Sequence, residues 1–243
     1  MSNILTIYRR EMGSYFTSPI AYIFICVFLL VMAIYFFMFN AFFQQANPDL
    51  RAYFIAFPFA FALLIPAVTM RLWSEEKKSS TVEILMTLPM KSWEVVVAKF
   101  LAGYTIIAIT VLLTLTIPVS VSFVLTLDWG VVLASYVGIF LLAGVYIAVG
   151  SWASALTENQ IVALLAAMVI LFGLWGIGLP GVMDWGNRNL ISGLGNALGW
   201  FGTFYHFLDF AKGILNPVHF VYALGMTAFF LILNNFAVEW RKF

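Results

Sequence analysis

Charge is what this chain has least of. Asp, Glu, Lys and Arg make up 9% of its 243 residues, against about 25% in an ordinary soluble domain. The scarcity is patterned. No charged residue lies between Glu11 and Asp49, or from Ala52 to Met70, Phe100 to Leu127, Trp129 to Thr157, Asn159 to Met183 and Gly213 to Val238. A helix needs about 20 apolar residues to cross a bilayer core, and each stretch can supply them. Lipid offers no partner for loose backbone groups, so each crossing must be a helix that closes its own hydrogen bonds. The expected fold class is therefore an all-α membrane protein. Its six transmembrane helices fall over 19–43, 52–72, 98–126, 130–156, 160–180 and 218–239. No polar block is long enough for a soluble domain, so 1–243 reads as one transmembrane domain.

Other absences narrow the function. There is one cysteine, Cys26, so no internal disulfide or thiolate metal site is available, and it reads as a small core residue. There are two histidines, His206 and His219. His206 and Asp209 stand at i, i+3, but two ligands make a poor metal site, so a structural or interfacial role is expected and no metal. The charge-free stretches hold no carboxylate or lysine, which argues against ion-coupled secondary transport. No phosphate-binding loop of the G-x-x-x-x-G-K-[ST] type occurs, so the chain is not expected to hydrolyse nucleotide. Gly150-Ser151-Trp152 lacks the second glycine of a nucleophile elbow, and Ser151 should lie far from both histidines. No catalytic residue is expected. A net charge of +1 gives no electrostatic case for nucleic acid.

What charge there is sets the orientation. Arg9, Arg10, Arg71, Lys77, Lys78, Lys91, Lys99, Arg241 and Lys242 fall on one side of a six-crossing chain, and Arg51, Arg188 and Lys212 on the other. The positive-inside rule makes the first side, with both termini, cytoplasmic. The run after Arg9 and Arg10 is too long for a removable signal, so it reads as a retained helix; a twin-arginine signal is the weaker alternative.

Residues 3–16 read as an amphipathic helix lying in the headgroup region of membrane lipid. Ile4, Leu5, Tyr8, Met12, Tyr15 and Phe16 share one face, with Thr6, Arg9 and Arg10 opposite. Glu11 falls in the apolar arc, either snorkelling to water or pairing with a basic residue of the following loop. Pro58 and Pro66 interrupt the second crossing, either to line a pathway or only to aid packing. Thr105, Thr110, Thr114, Thr116, Ser120 and Ser122 in the third either pack and back-bond to their own helix or line a polar passage. Gly138, Gly144, Gly150 and Ser151 mark a close-packing face in the fourth. From 181 to 217 aromatics and glycines alternate with Asp184, Arg188, Asp209 and Lys212, which reads as two short half-helices at the outer interface.

The segment 74–92 reads as a cytoplasmic loop. Within it, Ser80 or Thr81 can cap a short helix to Leu88, with Glu83 in its first turn and Ile84, Leu85 and Leu88 as an apolar stripe, either suited to a partner's groove or resting on the membrane.

This loop resembles the signature of ABC transporter permeases of the type-2 exporter class, which runs Glu-Glu, two basic residues, Gly-Thr-x-Glu-x-Leu-x-x-x-Pro. Glu75, Glu76, Lys77, Lys78, Thr81, Glu83, Leu85 and Pro89 match, and Ser80 stands in place of the glycine. The start, Tyr8 to Tyr22, and the segment His206-Phe-Leu-Asp-Phe-Ala-Lys-Gly are similar to the gliding-motility-associated branch. The resemblance implies a permease that pairs with a second permease copy and docks a separate ATPase subunit, which holds the ATP and Mg. Residues 81–88 would be the coupling helix, with Glu75, Glu76, Ser80, Pro89 and Glu11 beside it at the ATPase contact. His206, Phe207, Asp209, Lys212 and Gly213 would belong to an outer gate. Two functions are compatible with the resemblance. One is an exporter of the inner membrane. The other is an ATPase-driven scaffold for an envelope machine of gliding or pilus type, with an extracytoplasmic companion and no solute crossing.

Overall fold

Six helices long and apolar enough to span a membrane form the body of the structure, a computed structural model that describes residues 3–39, 49–78, 91–189 and 193–240. Every regular element among the described residues is helical. The order is α1 (Asn3–Thr17), α2 (Pro19–Ile34, continued by a π-helical turn Tyr35–Phe39), α3 (Arg51–Thr69), α4 (Arg71–Lys78), α5 (Ser92–Leu113), α6 (Thr116–Ser122), α7 (Trp129–Leu156), α8 (Gln160–Ile177), α9 (Pro180–Asn189), α10 (Leu194–Gly199), α11 (Thr203–Ala211) and α12 (Pro217–Glu239).

Polar side chains start the helices where the sequence changes character. Asp128 Oδ1 accepts from Gly130 N at 2.9 Å, Asn159 Oδ1 from Ile161 N at 2.9 Å, and Asn216 Oδ1 from Val218 N at 3.0 Å. Each satisfies an amide that no helical carbonyl can reach. Pro19 and Pro217 occupy first-turn positions of α2 and α12, where the missing N–H costs nothing.

Helix α7 is the axle. It packs on α3, α4, α5, α8, α11 and α12, and it is buried along most of its length. Three glycines spaced along it each admit a different neighbour. A Cβ on Gly138 would lie 2.5 Å from Phe210 Cβ of α11, and one on Gly150 2.2 Å from Thr69 Oγ1 of α3. At Gly144 the neighbour is Thr227 of α12, at 3.5 Å. Dispersion is the main attraction between helices in lipid, so backbones that approach this closely gain contact along their length. Around the periphery Ile161, Val169, Val221 and Leu224 turn more than half of their surface outward. An apolar coat of this extent suits lipid rather than water.

The third span breaks where its proline dictates. Pro118 cannot donate to the carbonyl of Thr114, and the helix is interrupted at Thr114 and Leu115, between α5 and α6. Thr110, Thr114, Thr116, Ser120 and Ser122 donate to carbonyls three or four residues back, as Thr105 does at 2.8 Å, and Thr105 and Thr114 also reach Tyr8 OH at 3.0 Å and Tyr136 OH at 3.1 Å on other helices. Pro58 is likewise buried in the core within α3, as is Pro66, whose carbonyl accepts from Met70 N at 2.9 Å.

Several details differ from the sequence reading. Cys26 is exposed rather than in the core. Helix α2 buries only Ala21, Phe24, Phe28 and Met32, one stripe of a helix that is apolar all round, and Cys26 lies on the other side. The charged stretch after the second span is helical at both ends: Arg71–Lys78 forms α4, and α5 begins at Ser92, ahead of the expected start of the third span at 98. Among the described residues the segment before the last span holds three short helices rather than two, α9, α10 and α11.

Candidate functional sites at the two ends of the bundle

Two polar clusters sit at opposite ends of α7. The first gathers where α1, α4 and α5 meet. Helix α1 lays Ile4, Ile7, Tyr8, Glu11, Met12 and Tyr15 inward, and Ile7 is buried, while Leu5 and Phe16 face outward. That spacing aims the Glu11 carboxylate at α5. Lys99 Nζ lies 3.1 Å from Glu11 Oε1 and 3.0 Å from Glu76 Oε1, with only 2% of its side chain exposed. Arg10 closes the ring from outside, 2.7 Å from Glu11 and 2.9 Å from Glu76. Lys99 also sits over the Trp73 ring at 5.2 Å. Burial alone would push the Glu11 carboxyl up; Lys99 and Arg10 outweigh it and hold it below the usual carboxylate range. Burial likewise acts against the Arg10 charge, and the two carboxylates more than restore it. Four charges from three helices thus form one cluster, in which no two of the same sign need stand without an opposite partner.

Helix α4 is fastened to α7 beside this cluster. The Ser154 hydroxyl donates to Met70 O at 2.8 Å and accepts from Trp73 N and Ser74 N at 3.1 Å. Those amides belong to the first turn of α4, where no helical carbonyl is available, so Ser154 caps α4 from another helix. Ser151 accepts from Trp73 Nε1 at 3.3 Å and from Asn234 Nδ2 of α12 at 2.8 Å. Lys77 donates to the Ala155 carbonyl. Ser151 is therefore a buried joint among α4, α7 and α12.

The second cluster lies between α11 and α12. His206 Nε2 is 2.7 Å from Trp200 O, His206 Nδ1 is 2.8 Å from His219 Nδ1, and His219 Nε2 is 2.9 Å from Asp209 Oδ2. Lys212 Nζ approaches Asp209 at 3.4 Å. The His206 ring stacks on Tyr222 at 3.8 Å, and Tyr222 OH donates to Phe201 O at 2.6 Å. Burial pushes the His206 ring below its ordinary value, and His219 adds to the effect. Burial would raise the Asp209 carboxyl, but the hydrogen bonds from His219 and Lys212 hold it low. Gly213 ends α11 at φ 84°, while Ile214 N bonds Asp209 O at 2.9 Å and Gly213 N bonds Phe210 O at 3.0 Å. This is a Schellman closure, in which glycine accepts the left-handed position without strain. Phe207 is buried and helps line a narrow apolar cleft with Gly138, Val145 and Tyr222. At the head of α11, a Cβ on Gly202 would lie 2.3 Å from Gly178 Cα, so two bare backbones set α11 against the end of α8.

Of the residues singled out in the sequence, Glu11 and Glu76 meet through Lys99, and Glu75 is exposed on α4. His206, Phe207, Asp209, Lys212 and Gly213 lie together on α11 and its C-terminal turn. Ser80, Thr81, Glu83, Ile84, Leu85, Leu88 and Pro89 lie outside the described residues. The sequence reading marked Ser151 only as part of a close-packing face and Lys99 only as a basic residue, and it missed Ser154 and Asn234. A signal existed for the last, since Asn234-Asn235 interrupts an otherwise apolar run. Asp209 bonds His219, thirteen residues from His206 along the chain, and not His206 itself.

Six apolar helices joined by buried polar side chains such as Ser151, Ser154 and Asn234 describe a membrane-embedded bundle. The sequence matches the family described as ABC-2 family transporter protein over residues 5–234. The chain belongs to that family, whose members are membrane permease subunits of ABC transporters and typically non-catalytic. No curated protein matches the chain at a significant level.

Proposed function

We propose that this chain is the permease half of an ATP-driven exporter, with both termini cytoplasmic, and that it works as a dimer with one separate ATPase on each copy. The ATPase carries the ATP and Mg. The observation that supports this reading most directly is the cluster of Glu11, Arg10, Glu76 and Lys99. It braces α1, α4 and α5, and α4 and α5 are the helices that flank residues 79–90. In this reading residues 81–88 seat in the ATPase. Motion of that segment reaches α4 and α5 together, because Lys99 and Glu76 tie them. It passes on to α7 and α12 through Ser154, Ser151 and Asn234. The segment around His206, Asp209 and Lys212 closes the far end as an outer gate.

The test is co-purification. Glu83→Lys combined with Leu85→Asp is expected to abolish recovery of the ATPase with the tagged permease while the permease stays folded. Undiminished recovery would refute the coupling-helix assignment. The resemblance of Tyr8–Tyr22 to the gliding-associated branch favours a second reading, an ATPase-driven scaffold. In the same experiment a stoichiometric large extracytoplasmic protein would select the scaffold, and an ATPase alone the exporter.

A further inference from the structure

The chain of contacts from Trp200 to Asp209 fixes how many protons it holds. A carbonyl only accepts, so His206 Nε2 must carry a hydrogen toward Trp200 O. If His206 is neutral, its Nδ1 is then an acceptor, and His219 Nδ1 must donate across the 2.8 Å gap. A neutral His219 would then turn a bare Nε2 lone pair toward Asp209 Oδ2 at 2.9 Å. Two acceptors do not bond. The chain therefore needs one proton more than two neutral rings and a carboxylate provide. Lys212 stands beside Asp209 and favours its ionised form, which leaves His219 as the holder.

We infer that the His206–His219 pair is a proton-binding latch, in which His219 is an imidazolium held between His206 Nδ1 and the Asp209 carboxylate. Loss of that proton unfastens α11 from α12 at Asp209. A second proton, on His206 Nδ1, would set two N–H groups head to head and unfasten the pair itself. His206 resists that proton because it is buried and faces a cation. The latch is thus closed with one added proton and open with none or two. It opens when the shared proton leaves, and again when a second proton reaches His206 Nδ1.

Among the described residues few other groups reach the pair. Asp209 and Lys212 are the charges on it, and Tyr205 and Tyr222 touch the His206 ring. Helices α8 and α10 carry no titratable side chain. On α7, Tyr136 OH is bonded to Thr114 and Tyr146 OH to Thr203. On α3, Arg51 pairs with Asp49, and Tyr53 packs among Phe36, Phe54 and Phe57. If α11 is the outer gate, which rests on the function proposed above, external pH sets how readily it opens.

The chain has only two histidines, so histidine-selective 15N labelling of the full protein in nanodiscs gives two ring systems. At pH 7 the expected spectrum shows one imidazolium and one neutral ring protonated at Nε2, with scalar coupling between the two Nδ1 atoms. In Asp209→Asn the imidazolium is lost, because the amide can donate to His219 Nε2 and a neutral His219 completes the chain. Two neutral rings or two imidazolia in the wild type would overturn the latch, as would an imidazolium that survives in Asp209→Asn. The wild-type spectrum decides even if the variant does not fold. No ATPase or substrate enters the measurement, so its outcome is independent of the transport reading.

Discussion

Replacing Lys99 by methionine is the sharpest perturbation of the charged collar around α1, α4 and α5. The Lys99 ammonium has carboxylate oxygens at 3.1 and 3.0 Å. At an effective dielectric near 20, each contact is worth roughly 5 kcal/mol gross. Part of that returns, because the variant no longer keeps a cation out of water at a site that is 2% exposed. Removing one partner of a buried pair costs about 3–5 kcal/mol net. Arg10 still serves Glu11 and Glu76 from the solvent side, so the lower end applies, about 3 kcal/mol. Detergent-solubilised protein unfolded by heat at a fixed scan rate, and followed by tryptophan fluorescence with Trp73 beneath the site, should lose roughly 10 °C in midpoint. The triple variant Lys99→Met, Glu11→Gln, Glu76→Gln should regain most of that loss, because no charge is left buried without its counterpart. A Lys99→Met midpoint within about 3 °C of wild type would refute the account. A triple variant weaker than the single one would refute it too.

Two further outcomes are expected. Gly150→Ala forces a Cβ to 2.2 Å from Thr69 Oγ1, and should cost about 1–3 kcal/mol. Adding Thr69→Ala should relieve part of it in the same unfolding assay, and a strictly additive pair would show that the contact is not the cause. For topology, a cysteine at Lys212 should react with an impermeant maleimide from outside the cell, and one at Lys78 only after lysis. Both side chains are exposed, so the reverse pattern would invert the orientation.

The six spans were legible because lipid imposes a rule that composition alone can express: about 20 residues without charge. Which face of each span turns inward was not legible. Cys26 and Phe28 look alike on an all-apolar helix, and only packing against α3 separates the exposed residue from the buried one. In α1 the amphipathic pattern placed Glu11 inward but also Leu5 and Phe16, because a helix lying against both protein and lipid has two apolar sides. The collar needed tertiary contacts, since Glu11 and Lys99 are 88 residues apart. His206 and Asp209 were noticed as neighbours on one helix, while their link through His219 depends on how α11 lies on α12. Gly213 was marked by resemblance, and its physical reason is a left-handed helix end.

Ser154 has a consequence for how the protein is made. The first turn of α4 takes its cap from a residue eighty positions later. On the ribosome, α4 emerges directly after the second span, but its cap arrives only once the fourth span has been synthesised and inserted. Under the function proposed above, a half-made chain thus offers the ATPase an unfinished docking element. On that proposal, nascent chains halted before Ser154 should fail to recruit the ATPase, while chains halted after Leu156 has cleared the translocon should begin to do so.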